Sequence, residues 1–282
     1  MMVFADGSRP VSSYRSITLE SLAAGVAELT LIGPGRGNAM GPDFWRELPS
    51  AVAALEADPA LRVIVLRGSG EHFSYGLDLP GMAQEMSALL NDGAAGRAAI
   101  IAQARRMQSG FDALAEGRLP VVAAIDGWCI GAGIEMVAAA DLRIASKQAR
   151  FALREVKVGI VPDLGGIQRL PALVGEGWAR QLALTGDEID ADTAARIGLV
   201  TELADDGAAL LLRARALAAS IAANPPLVVA GIKQVMNAAR AASVAHGNRE
   251  AATLNGLLMQ SEDFAEAMRA FMEKRAPVFR GR

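Results

Sequence analysis

One cysteine, Cys129, occurs in the 282 residues, so the chain forms no internal disulfide and suits a reducing compartment. Histidines number two, His72 and His246, and together with that thiol they offer too few ligands for a structural zinc site. The same scarcity disfavours a Ser-His-Asp hydrolase and a cysteine nucleophile. Neither histidine stands in a motif with a partner, and Cys129 reads as a small packing residue. No uncharged apolar run reaches the roughly 18 residues of a membrane span, and the opening stretch MMVFADGSRPVSSYRS lacks a basic segment followed by an apolar one. A soluble, cytoplasmic protein with no membrane partner is expected. Formal net charge is −3 and like charges never gather into long blocks, which argues against a general nucleic-acid binder.

Hydrophobic residues, in contrast, make up 52% of the chain, enough to bury a large core in one domain with a smaller appendage. The stretch that organises the rest runs from Pro120 to Gln168. Val121 to Ile125 is an apolar run short enough to be a buried strand, closed by the turn pair Asp126-Gly127. Gly131-Ala132-Gly133 then lets backbone approach a ligand. Ile134, Val137 and Ala138 follow at helical spacing, which predicts a strand, a glycine-rich turn and a helix starting near Ala132. Free amides at that helix start attract negative charge, and fixed donors of this kind are what acyl transfer or enolate chemistry requires.

Three carboxylates flank the turn. Glu135 lies one turn into the helix, Glu155 comes after two short apolar stretches (Leu142 to Ala145 and Phe151 to Leu153), and Asp163 follows. Structural alternatives exist for each. Glu135 can be a buried carboxylate satisfied by backbone, Glu155 can pair with Arg154 or Lys157, and Asp163 can cap a helix beginning at Gly165.

Elsewhere, Ser16 to Glu20 and Val26 to Ile32 read as a hairpin with Gly25 near its turn. The loop Gly33-Pro34-Gly35-Arg36-Gly37 lacks the lysine and following Ser/Thr of a P-loop, so it reads as a surface loop. Asp43 looks like the cap of a helix carrying Phe44, Leu48, Val52 and Leu55 and ending at Asp58-Pro59. Val63 to Leu66 is a buried strand. Residues 81–118 look helical with a break at Asn91-Asp92-Gly93. A short helix punctuated by Pro171 and Gly175 is expected next, then an alanine-rich helix ending at Gly198. From Gly207 onward the pattern is almost wholly helical, broken at Pro225-Pro226. The core-to-tail boundary falls near 200, giving a core over 1–200 and a helical region over 201–282.

The segments GWCIGAGIEMVAAADLRIAS, FALREVKVGIVPDLGGIQRLP and HFSYGLDL, with a weaker echo in FMEKRAPVF, resemble the crotonase superfamily, which includes enoyl-CoA hydratases and isomerases. The likeness covers roughly residues 15 to 200 in family order. It implies an α/β fold with a spiral core of ββα units and a C-terminal helical region. Those helices would assemble a homotrimer or a pair of trimers and cover the active site. It also implies an acyl-CoA thioester substrate whose carbonyl oxygen sits between the backbone amides of Leu77 and Ala132. Coenzyme A is then part of the substrate, and no metal or redox cofactor is needed. Substrate contacts are implied for Tyr75, Gly76, Asp78 and Gly131, and contacts to the coenzyme for Arg36 and Lys274. Asp141 matches a structural aspartate after the active-site helix.

In hydratases of this kind, glutamates matching Glu135 and Glu155 hold the attacking water, and the second protonates the α-carbon. Asp163 departs from them, because typical hydratases carry glycine there, whereas an aspartate resembles dienoyl-CoA isomerases. In that branch Glu155 would serve the α-carbon and Asp163 the far end of the diene. Glu135 is itself a departure from that branch, which usually has aspartate. The implied activity is hydration of 2-trans-enoyl-CoA, isomerisation of 3,5- to 2,4-dienoyl-CoA, or both. Alternatives are another crotonase reaction, such as acyl-CoA hydrolysis or decarboxylation, and a non-catalytic RNA-binding relative, against which the acidic balance speaks.

Overall fold

β1 (Ile17–Ser21) and β2 (Val26–Leu31) pair antiparallel, and the turn between them uses Gly25 at φ +76°. This is the expected hairpin. It opens a computed structural model that describes residues 14–35, 37–90 and 92–282. α1 (Pro42–Ala57) follows, preceded by Gly41 rather than by the expected Asp43. Pro42 takes the first helical position, where a missing N–H costs nothing, and Asp43 sits in the first turn, paired with Arg46 at 2.7 Å.

The chain continues through β3 (Val63–Gly68), α2 (Leu79–Leu90), α3 (Gly93–Glu116), β4 (Val121–Ile125), β5 (Trp128–Ile130), α4 (Ala132–Ala138), β6 (Leu142–Ser146) and β7 (Arg150–Ala152). The break between α2 and α3 falls where the turn-prone residues predict it. Next come α5 (Gly166–Thr185), β8 (Glu188–Asp190), α6 (Ala191–Arg196), β9 (Glu202–Ala204), α7 (Gly207–Ala222), α8 (Pro226–Ala238), α9 (Ala241–Leu258) and α10 (Glu262–Glu273). Within α5 the first helical segment runs past Pro171 and ends at Gly175, which takes φ +78° and ψ 157° as the sequence punctuation suggests, and a second segment then continues to Thr185.

Among the described residues, six strands form one sheet in the order β1-β2-β3-β4-β6-β9, parallel from β2 onward, and β5-β7-β8 form a second, smaller sheet. A parallel sheet covered on both faces explains the nearly unbroken apolar runs VIVL and VVAAI. Alternate residues go to opposite layers. Val63, Val65 and Val122 meet Leu210, Ala214 and Ala218 of α7, while Ile64, Leu66, Val121 and Ala123 face the main core. Each such side chain fully buried contributes about 1.5–3 kcal/mol.

β9 lies beyond residue 200, yet it is the sixth strand of the main sheet, and α7 covers that sheet's face. The helices that stand apart are α8 to α10. α8 is stapled to the core by buried Lys233, which pairs with Asp141 at 2.9 Å and donates to the carbonyls of Leu114 and Leu119. Asp141 also accepts the Val121 N–H at 2.8 Å, so this aspartate ties α8, α4 and β4 together.

Candidate active site

Two glycines bring two main-chain amides to one place. β5 ends at Ile130, Gly131 turns the chain at φ +55°, and Ala132 begins α4. The Gly131 N–H is held by Ala152 O of β7 at 2.8 Å. Alongside runs the loop 73–78, laced to β5 by Ser74 N–H to Trp128 O and Ile130 N–H to Ser74 O. Its Gly76, at φ +80°, lies so close that an added Cβ would stand 2.6 Å from Ile130 O and 3.0 Å from Ala132 N. Only glycine meets both conditions.

Leu77 and Ala132 therefore border the same cavity, of about 710 Å³. The Leu77 N–H lies outside its local ladder, because the bridge to Met40 runs through Met40 N–H to Gly76 O and Asp78 N–H to Met40 O. The Ala132 N–H is the first of a helix and has no intrahelical acceptor. Two such donors at one cavity wall can stabilise charge on a carbonyl oxygen.

Glu135, Glu155 and Asp163 border that cavity too. Glu135 is 1% exposed, and its Oε2 accepts the N–H groups of Leu164 at 3.0 Å and Gly166 at 2.8 Å. Burial, then the charges of Glu155 and Asp163, push its carboxyl well above the usual range, against the pull of those two amides. Glu155 follows β7 in a short 3-10 turn and lies against Gly131. Its expected structural partners are engaged elsewhere, Arg154 with Glu188 and Lys157 with Asp187. Among the described residues its Oε2 has no hydrogen-bond partner. Burial raises this carboxyl to about 8, with the Asp163 charge adding to the rise. Asp163 is raised to about 6 by burial, opposed by a hydrogen bond from Asn255. It does not cap α5, which begins after Gly165.

Of the other expected contacts, Tyr75, Asp78 and Gly131 border the cavity, and Gly76 packs behind it. Arg36 lies outside the described residues. Lys274 is the residue after α10, at φ +54°, and its neighbour Arg275 is the one on the cavity wall. Cys129 is buried and its thiol is pushed well above the usual range, consistent with packing rather than attack.

The family model described as Enoyl-CoA hydratase/isomerase matches residues 21–282. The chain belongs to the enoyl-CoA hydratase/isomerase family. It is 37% identical over 277 residues to the mitochondrial Delta(3,5)-Delta(2,4)-dienoyl-CoA isomerase of Dictyostelium discoideum, covering 96% of this chain and 93% of that protein. It is 35% identical to a crotonyl-CoA hydratase of Syntrophomonas wolfei, covering 95% of this chain and 98% of that one. A crystal structure of an enoyl-CoA hydratase/isomerase from Pseudoalteromonas atlantica superposes with a TM-score of 0.81 at 28% identity, over 94% of this chain and 100% of that one. The fold is thus the crotonase fold, and the protein is an enoyl-CoA hydratase/isomerase enzyme.

For an enzyme of this family, the sequence left several participants unmarked. Asn255 of α9 reaches Asp163, and Gln108 of α3 donates to Asp163 O at 2.6 Å and to Asn248 O at 3.0 Å. Phe271 and Arg275 of the tail, with Arg154 and Lys157, complete the opening. Arg275 stands in the FMEKRAPVF echo, which was the available signal. Asn255 and Gln108 sit at ordinary helical spacing, and nothing local distinguishes them.

Proposed function

We propose that this enzyme isomerises 3,5-dienoyl-CoA to 2,4-dienoyl-CoA, with hydration of 2-trans-enoyl-CoA as a second activity of the same site. The observation that carries the first reading is a third carboxylate, Asp163, on the wall of the cavity that holds Glu135, Glu155 and the two amides. Moving both double bonds one carbon toward the thioester takes a proton from C2 and returns one at C6. That requires two proton-carrying groups and a place for negative charge on the thioester oxygen. Leu77 and Ala132 supply that place, at about 3 kcal/mol per donor in the transition state. Glu155, lying against Gly131 beside the Ala132 amide, serves C2, and Asp163 serves the far carbon.

With Asp163 near 6 and Glu155 near 8, the pair holds one proton between about pH 6 and 8. Isomerisation therefore follows a bell-shaped pH profile centred near neutrality. The resting proton favours Glu155, so the dienoyl reaction begins from the less populated arrangement with the proton on Asp163.

Glu135 favours the hydration reading. Its carboxylate is held beside Glu155, as the hydratase pair requires, and a protonated Glu155 is ready to deliver to C2 after water adds. Neither reaction transfers electrons, so no redox cofactor is called for, and the two amides take the place a Lewis-acidic metal would have at the thioester oxygen. Arg154, Lys157 and Arg275 at the opening suit the phosphates of coenzyme A, which enters as part of the substrate. Exposed apolar residues on α8, including Leu227, Val235 and Met236, support assembly into a homotrimer or a pair of trimers. The single cysteine supports work in a reducing compartment such as the cytoplasm.

The test offers purified enzyme a 3,5-dienoyl-CoA and a 2-trans-enoyl-CoA in parallel, following the conjugated thioester absorbance. Asp163→Asn is expected to abolish isomerisation and leave most of any hydration, and Glu155→Gln to suppress both, each by roughly 10²-fold or more. Equal loss of both activities in the Asp163 variant would refute the division of labour.

A further inference from the structure

Asp163 reaches the cavity at the end of a connection, residues 159–165, that has no helix or strand of its own. A proton-transfer group on such a segment needs a fixed support, since a misplacement of about 1 Å can cost on the order of 10²-fold in rate. The support comes from α9. Asn255 is 1% exposed, and its side chain makes three hydrogen bonds to this one segment. Its Oδ1 accepts the Val161 N–H at 2.9 Å, and its Nδ2 donates to Val161 O at 2.8 Å and to Asp163 Oδ2 at 2.8 Å.

The two bonds to Val161 act as a bidentate anchor. They fix the orientation of the carboxamide and distinguish its oxygen from its nitrogen, so the third bond cannot rotate away. Gln108 of α3 secures the same residue from its main chain, donating to Asp163 O. Position and aim are thus controlled separately.

We propose that Asn255 is a positioning residue for proton transfer at the far end of the substrate: anchored on both polar groups of Val161, it aims one N–H at Asp163 Oδ2 and fixes that carboxylate in the cavity. The inference rests on the isomerase reading above and deepens it. A donor to a carboxylate also favours the ionised form. The charged groups facing Asp163 are Glu135 from α4 and Glu155 from the 3-10 turn, both negative. Behind it the buried Arg169 of α5 is directed at Leu164 O and at Asp112 of α3. Gln108 and Asn248 are neutral. Asn255 is therefore the side chain that opposes the effect of burial on Asp163.

The experiment compares wild type with Asn255→Ala and Asn255→Leu. The leucine variant keeps the volume of the side chain, removes the donor to Asp163 and brings no charge, which guards against failure of the alanine variant to fold. Two readouts are taken on the full-length enzyme. The first is the titration of Asp163, followed by NMR of protein carrying ¹³C-carboxyl aspartate and assigned by subtraction of Asp163→Asn. The second is the pH dependence of isomerisation and of hydration.

In the variants the Asp163 midpoint and the acid edge of isomerisation are expected to rise together, by about one pH unit or more. Misplacement of the Asp163 carboxyl costs on the order of 10²-fold, while the higher midpoint enlarges about tenfold the share of enzyme with the proton on Asp163, so isomerisation should fall on the order of tenfold relative to hydration, with KM nearly unchanged. A midpoint and acid edge that stay put, with both activities falling together, would overturn the proposal and leave Asn255 a packing residue. Absence of dienoyl turnover in wild type would sink the isomerase reading, while the NMR midpoint would still decide whether Asn255 controls Asp163.

Discussion

Glu155 and Asp163 bend the stability profile against the usual direction for acids. Each carboxyl is harder to ionise in the folded protein than in the unfolded chain, about 8 against 4.5 for Glu155 and about 6 against 3.8 for Asp163. The native state therefore binds more protons, and their contribution is fully present below pH 4 and is lost as pH rises to about 8. Glu155→Gln removes the larger part of that loss. Chemical denaturation should show the variant more stable than wild type at pH 8 by on the order of 2 kcal/mol, after allowance for the water that reaches the cavity, and the gain should vanish near pH 4. A gain that is the same at both pH values would mean that packing, and not ionisation, separates the two proteins. The site thus costs stability at the pH where it works, as functional carboxylates commonly do.

At the level of elements, the joint between β5, α4 and loop 73–78 depends on backbone conformations open to glycine. Gly76→Ala must accept both a positive φ and a methyl group facing Ile130 O. It should lose about 1–3 kcal/mol in a denaturant titration and, by shifting the Leu77 amide, on the order of 10²-fold in kcat. Retention of full kcat would show that the Leu77 amide does not touch the reacting oxygen. This joint was legible in the sequence because an apolar run, a turn pair, two glycines and a helical period follow one another within twenty residues. The interruption at Gly175 was legible too, since glycine there reads as a stop, whereas the helical segment that resumes after it and runs to Thr185 was not. β9 was missed for a different reason: three residues carry too little periodicity to announce a strand, and its place at the sheet edge is set by β6. Among site residues, the three acids were marked by their neighbours in sequence, whereas Asn255 acts across 92 positions and leaves no local trace.

For the whole molecule, the helices at the C-terminal end divide their faces between two tasks. α9 turns Asn248 and Asn255 inward, while Leu254, Leu257 and Leu258 remain exposed, as do Leu227, Val235 and Met236 of α8. An apolar surface of that kind in a protein of this size is normally covered by another subunit. Sedimentation should find an assembly larger than the monomer, and Val235→Asp together with Met236→Lys should dissociate it without unfolding the sheet. A wild-type monomer at micromolar concentration would remove the assembly proposal and leave the exposed rows without an occupant. The cavity wall formed by Phe271, Arg275 and Pro277 lies at the end of the same helical region.

The grip of Leu164 and Gly166 on Glu135 also sets a rule for sequence change. A Cβ at position 166 would stand 2.4 Å from the Glu135 Cγ. Aspartate at 135 keeps a Cγ at that place, so shortening the acid does not make room for alanine at 166; only loss of the Cγ does. In a double-mutant cycle followed by denaturation, Gly166→Ala should be damaging alone and markedly less so in the Glu135→Ala background, with a coupling of about 1–3 kcal/mol. Anyone building libraries around this pocket should therefore hold position 166 at glycine as long as an acid is wanted at 135.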